Sequence, residues 1–177
     1  MKHRLVAILL GEALEASNGH EFEEALKYRR PDAQVFYFDG RFSGKTIPEV
    51  LEAVNNAEQV VVAAYVIHRA ARQVNMGHAG MTYFGLAGPS GQLLQQVVMI
   101  ASKKAVVIAF GSPYLIESFP QIQTYICTYA MASTSEISAV KALFGEIQNH
   151  AKLPVTLPGV APRGFYLPWL TPKRQPE

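Results

Sequence analysis

The chain has 177 residues, 49% of them hydrophobic, which is enough to bury one substantial core and gives no sign of two. Sixteen basic and fourteen acidic side chains leave a formal charge of +2 with no basic run longer than a pair such as Lys173-Arg174, which argues against nucleic acid as a partner. No run of ~20 apolar residues is present, so no membrane span is expected.

The basic opening Met1-Lys2-His3-Arg4 and the apolar residues 5–10 imitate a secretory signal. Gly11-Glu12 ends that run short of the ~7–15 apolar residues and small-residue cleavage site that such a signal needs. The segment reads instead as a buried first strand, and the chain is expected to be soluble, with its compartment left open. A helix is expected over residues 20–29, with Phe22, Ala25, Leu26 and Tyr28 on its inner face and Pro31 enforcing the stop. A second strand follows at 33–38. Ile47, Val50, Leu51 and Val54 form the stripe of a second helix with Pro48 in its first turn, and residues 59–67 make a continuous apolar third strand that reads as central.

After a glycine-bearing stretch, Leu93, Leu94, Val97, Val98 and Ile100 mark a third helix, and residues 105–110 a fourth buried strand. Residues 123–129 form the fifth; they contain Cys127, the single cysteine, which has no internal disulfide partner and reads as a buried structural thiol. Ser133-Thr134-Ser135-Glu136 has the spacing of a capping box ahead of a helix that carries Ile137, Val140, Leu143 and Phe144 to Gly145. A last strand is expected at 153–157, at a sheet edge because prolines bound it. Strands alternating with helices in this way give an α/β fold: a three-layer α/β/α sandwich on a mostly parallel sheet of five to six strands, flavodoxin-like, with an edge strand. The division is residues 1–158 for that domain and 159–177 for an extended proline-rich C-terminal tail.

In an open α/β sheet the ligand crevice lies beyond the carboxyl ends of the strands, where strand order reverses. If strands one and three are neighbours, the loop 11–19 with Glu12, Glu15 and Asn18 faces the loop 68–91 with His68, Arg69, Arg72, His78 and Tyr83. The second loop reads either as a flap that touches a sugar or a partner domain, or as a connection whose proper partner is absent. Arg69, Arg72 and His78 are the candidate substrate-binding residues.

Catalytic motifs fail on spacing. Gly40-Arg41-Phe42-Ser43-Gly44-Lys45-Thr46 has three residues between its glycines where a P-loop needs four. Gly111-Ser112-Pro113 lacks the second glycine of a nucleophile elbow, so Ser112 reads as structural. The histidines 3, 20, 68, 78 and 150 form no zinc-binding pair; neither a metal nor a cofactor is expected. Asp39, Glu12, Glu15 and Glu117 read as surface or capping acids, and no strand ends in the carboxylate pair of a glycosidase.

Three segments occur in order: Ala109-Phe110-Gly111-Ser112-Pro113-Tyr114, then Lys141-Ala142-Leu143-Phe144-Gly145-Glu146, then Lys152-Leu153-Pro154-Val155-Thr156-Leu157-Pro158. Together they resemble the C-terminal domain of family 3 glycoside hydrolases, most closely the β-N-acetylhexosaminidase branch. The resemblance implies an accessory domain that packs on a catalytic barrel and helps shape its sugar pocket. The barrel itself, with its nucleophilic aspartate, has no counterpart in the chain, and ~250 residues of barrel do not fit in it. The β-glucosidase branch draws its acid/base glutamate from this domain, whereas the loop after strand three here offers Arg69, Arg72 and His78. The expected partners are a family 3 barrel, in the same parent chain or separate, and a saccharide, with self-association through an exposed apolar face. A stand-alone carbohydrate-binding or interaction module is the alternative; a nucleotide binder has the fold but lacks the phosphate loop.

Overall fold

Strands run as near-continuous apolar stretches because both of their faces are covered. In the computed structural model, which describes residues 4–11, 18–40, 47–66, 86, 88–148 and 150–166, β1 (Leu5–Gly11) is buried at all seven positions. It pairs in parallel with β2 (Gln34–Asp39) on one side and β3 (Gln59–Val66) on the other. Beyond β3 lie β4 (Ala105–Gly111) and the short β5 (Tyr125–Cys127), also parallel, which gives the order β2-β1-β3-β4-β5. β3 is thus central, and strand order reverses between β1 and β3.

Period-2 alternation sorts these strands between two cores. Val6, Ile8, Leu10, Val60, Val62 and Val107 meet α2 (Ile47–Asn56) and α3 (Gly88–Ala101) through Val50, Val54, Leu93, Leu94, Val97 and Val98. Leu115 of the four-residue helix α4 (Leu115–Ser118), Phe119 and Ile122 join the same cluster. On the other face, Leu5, Ala7, Leu9, Val61, Ala63, Tyr65, Ile108 and Phe110 meet α1 (His20–Arg29) and α5 (Ser133–Leu143) through Phe22, Leu26, Ala139 and Val140. The result is the three-layer α/β/α sandwich with five parallel strands.

Several details depart from the sequence expectations. Tyr28 is 85% exposed; six residues beyond Phe22 is about one and two-thirds helical turns, which carries it to the outer side. The third helix begins at Gly88, five residues before its apolar stripe, with Pro89 and Ser90 in its first turn. Residues 153–157 do not join the sheet. They fold against the chain that follows: the Leu153 amide donates to the Phe165 carbonyl at 2.9 Å, the Gly164 amide returns a bond to the Leu153 carbonyl at 2.8 Å, and Leu157 bridges to Ala161. Pro154 and Pro158 withhold the amides a ladder would need, and Gly159 and Gly164, at φ of 71° and 85°, turn the chain back.

Candidate functional site

At the switch point the ends of β1 and β3 are closed by a carboxylate from elsewhere in the chain. Glu136 is 2% exposed, and among the described residues it is the one buried charged side chain. Its Oε1 accepts hydrogen bonds from the Gly19 amide at 2.9 Å and the Tyr65 hydroxyl at 2.8 Å, and its Oε2 accepts one from the Phe22 amide at 3.0 Å. This is a correction to the capping-box expectation. α5 starts from Ala132 with no side-chain cap, and Glu136 satisfies the amino end of α1 instead. Free amides and the dipole at that end favour a negative charge.

Local sequence explains the fit. Gly19 has φ 85°, a conformation that admits glycine freely, and a Cβ there would stand 1.9 Å from Leu9 Cδ2 and 3.3 Å from the Tyr65 hydroxyl. Glu136 precedes Ala139 and Val140 by three and four residues, so it lies on the buried face of α5. Burial first, then the charge and hydrogen bond of Glu136, hold the Tyr65 phenol well above its ordinary pKa, so it remains a donor. Tyr65 also stacks on Phe110 with centroids 4.9 Å apart, and Phe110 meets Phe22 edge-on at 6.1 Å. The network continues outward, where Tyr37 donates to Glu23 Oε2 at 2.7 Å and to the Gly19 carbonyl at 3.3 Å.

The β1–β2 side of the same edge is also occupied. The Gly11 carbonyl accepts from the Gly40 amide at 3.0 Å and from the buried Ser90 hydroxyl at 2.7 Å. Side chains of this molecule thereby fill the positions at which many open α/β sheets hold a ligand's anion.

The candidate contacts Arg69, Arg72 and His78 lie outside the described residues, as do Glu12, Glu15, His68, Tyr83, and Arg41 to Thr46 of the P-loop-like segment. Asp39 ends β2, and Glu117 is exposed on α4. Ser112 is buried, with its hydroxyl 3.4 Å from the Tyr114 amide that donates to it. His20, Glu21 and Glu24 bring ligand atoms within 4.8 Å of one another on the open side of α1. Burial pushes the Cys127 thiol up to about 11. On the opposite, amino edge a cavity of about 420 Å³ is lined by Arg4, Asp32, Gln34, Glu49 and Glu52 among others, away from the switch point.

Glu136 was missed by sequence reasoning because two readings competed for one residue. The Ser-x-x-Glu spacing pointed to its own helix, while the buried positions three and four residues on pointed inward; packing took the second.

No family model and no curated protein sequence matches this chain. Solved structures do share its fold. A fungal multi-domain GH3 β-N-acetylglucosaminidase, described as containing a GCN5-related glucosamine N-acetyltransferase region, aligns with a TM-score of 0.66 at 23% identity, over 91% of this chain and 16% of that one. A glycoside hydrolase family 3 β-N-acetylglucosaminidase from a Paenibacillus species aligns at 0.57 and 16% identity, over 81% and 26%. A β-glucosidase from Listeria innocua aligns at 0.58 and 15% identity, over 82% and 22%. The chain spans about a sixth to a quarter of the length of these multi-domain proteins, and at such identities the likeness is one of fold.

Proposed function

We propose that this chain acts as an accessory domain of a family 3 glycoside hydrolase of the β-N-acetylhexosaminidase type, packing on a catalytic barrel and helping to shape its sugar pocket. The observation that carries this reading is the fold: 81–91% of the chain aligns with chains of that family while covering only 16–26% of them. The segment Gly111-Ser112-Pro113-Tyr114 supports it, standing at the carboxyl end of β4 as the resemblance requires. In this reading residues 1–158 are the packing domain, 159–177 the tail, and Arg69, Arg72 and His78 the saccharide contacts.

The domain is proposed to be inactive by itself. Glycoside hydrolysis needs two carboxyl groups placed ~5–5.5 Å or ~6.5–9.5 Å apart, one as acid and one free to attack or to activate water. Among the described residues, the carboxylate at the switch point has both oxygens engaged by structural donors. The test is hydrolysis of aryl β-N-acetylglucosaminide and aryl β-glucoside by the purified chain, beside the chain mixed with a family 3 barrel domain. The expected result is no turnover by the chain and a gain over the barrel alone on mixing. Robust turnover by the chain itself would overturn the reading. A monodisperse chain that binds saccharide but never augments a barrel would favour a stand-alone module.

A further inference from the structure

The sheet has two edges, and they differ. β5 pairs with β4 over three residues only, Tyr125 to Cys127, so it leaves little open backbone. β2 pairs with β1 over six residues, Gln34 to Asp39, in an unbroken one-to-one register, and its other side meets no strand among the described residues. Alternate amides and carbonyls on such an edge are open to another strand, and natural sheets blunt it with lysine, proline or a bulge. Residues 34–38 read Gln-Val-Phe-Tyr-Phe, with none of these devices. Gln34 is exposed, and so is Tyr37.

A groove lies beside that edge. The cavity of about 420 Å³ is bounded by Gln34 of β2 and by Glu49, Glu52 and Asn56 of α2. Spaced at three and four residues, these helical positions form one stripe beside the buried Val50 and Val54. Gln34 shares the parity of Phe36 and Phe38, which pack into the α2/α3 core, so it lies on the α2 face of the sheet. Three carboxylates line the groove against one guanidinium, that of Arg4. Asp32 is held by Arg30, whose Nε and one terminal nitrogen donate to it at 3.1 and 3.2 Å. Glu49 and Glu52 are exposed and pair with no described cation.

We propose that β2 and this groove form a docking site for an extended basic peptide, which joins the sheet as a sixth strand. The peptide backbone takes up the outward amides and carbonyls of β2, and its side chains alternate between the two faces. On the α2 face, lysine or arginine stems lie along Gln34 and Phe36 and bring their cations to Glu49 and Glu52. On the other face, apolar side chains meet Val35 and Tyr37. Charge disfavours a second copy of this chain as the occupant. Two-fold pairing of β2 with β2 sets both α2 helices on the same face of the joined sheet, carboxylates toward carboxylates. The site lies away from the switch point and does not depend on the accessory-domain reading.

The test is a two-dimensional amide NMR titration of the full chain with acetyl-Lys-Val-Lys-Val-Lys-Val-amide. Beside it run the glutamate counterpart and two N-methylated forms, one methylated at its lysines and one at its valines. The lysine peptide should shift the amides of residues 34–38 and 49–56, and the glutamate peptide should shift neither set. A strand bonds its neighbour through alternate residues, so one N-methylated form should lose binding and the other keep it. Glu49→Lys with Glu52→Lys, both at exposed positions, should weaken the lysine peptide at least about fivefold and admit the glutamate peptide. No shift at millimolar peptide, an equal response to the two N-methylated forms, or unchanged binding in the double variant would each overturn the site. So would a concentration-dependent dimer with exchange-protected amides at 34–38, which assigns the edge to a second copy.

Discussion

The two faces of the sheet are held to their helices by different means. Beneath α2 and α3 the contact is mainly apolar side chains, from Val50 and Val54 across to Leu93, Leu94, Val97 and Val98, with the Ser90 hydroxyl at the carboxyl edge as a neutral polar exception. Beneath α1 and α5 a smaller apolar cluster is joined by a buried carboxylate bonded to Gly19, Phe22 and Tyr65. Apolar packing scales with area and tolerates exchange of similar shapes. A buried polar network is directional, and leaving one member unpaired costs the desolvation of every group it served. The α2/α3 layer should therefore be forgiving and the α1/α5 layer exacting.

Glu136→Leu should break the exacting face. It leaves two amides and a hydroxyl buried without their acceptor, a loss of about 3 kcal/mol or more by urea denaturation. Glu136→Gln, close in shape, should still cost about 2 kcal/mol because one oxygen becomes a donor facing a donor. Leu94→Met on the other face should cost below about 1.5 kcal/mol. If the glutamine variant is as stable as wild type while the methionine variant collapses, the contrast between faces is wrong.

Lys104 sharpens the comparison at the edge of the apolar face. Its ammonium donates to the carbonyls of Val54, Asn55 and Ala57 at 2.9, 3.2 and 2.7 Å, closing the carboxyl end of α2. Lys104→Met should lower stability by about 1 kcal/mol and speed amide exchange at residues 53–57 before the rest of the sheet. The smallest effect is expected from the bidentate pair of Arg29 and Glu146, which spans α1 and the turn after α5 in the open. Hydrogen bonding to Arg29 lowers the Glu146 pKa. The pair's contribution is therefore present above the ordinary carboxylate value and fades as pH falls through the depressed one. Thermal melts of Arg29→Gln and wild type should differ little at neutral pH and converge in acid or in high salt.

The legible part of this protein was its periodicity. Continuous apolar runs at β1, β3 and β4 announced strands covered on both faces, and the stripe at Val50 and Val54 placed α2 on its core. Tyr28 was misplaced because it was grouped by apolarity rather than by its angle about the helix. Residues 153–157 have strand composition, but proline removes the amides that pairing requires. Arg69, Arg72 and His78 were chosen from a loop whose contacts no sequence pattern specifies.

The amino-acid sequence by itself determined the series of elements from β1 to α5 and the parallel α/β class, because side-chain period and backbone chemistry are local. Only the tertiary structure decided which helix end Glu136 serves, since its partners lie 71 to 117 residues away and are chosen by packing. The same holds for the left-handed backbone at Tyr129, φ 60°, which is flanked by bonds from the Thr128 amide to Ala109 and from the Thr128 hydroxyl to Ala130.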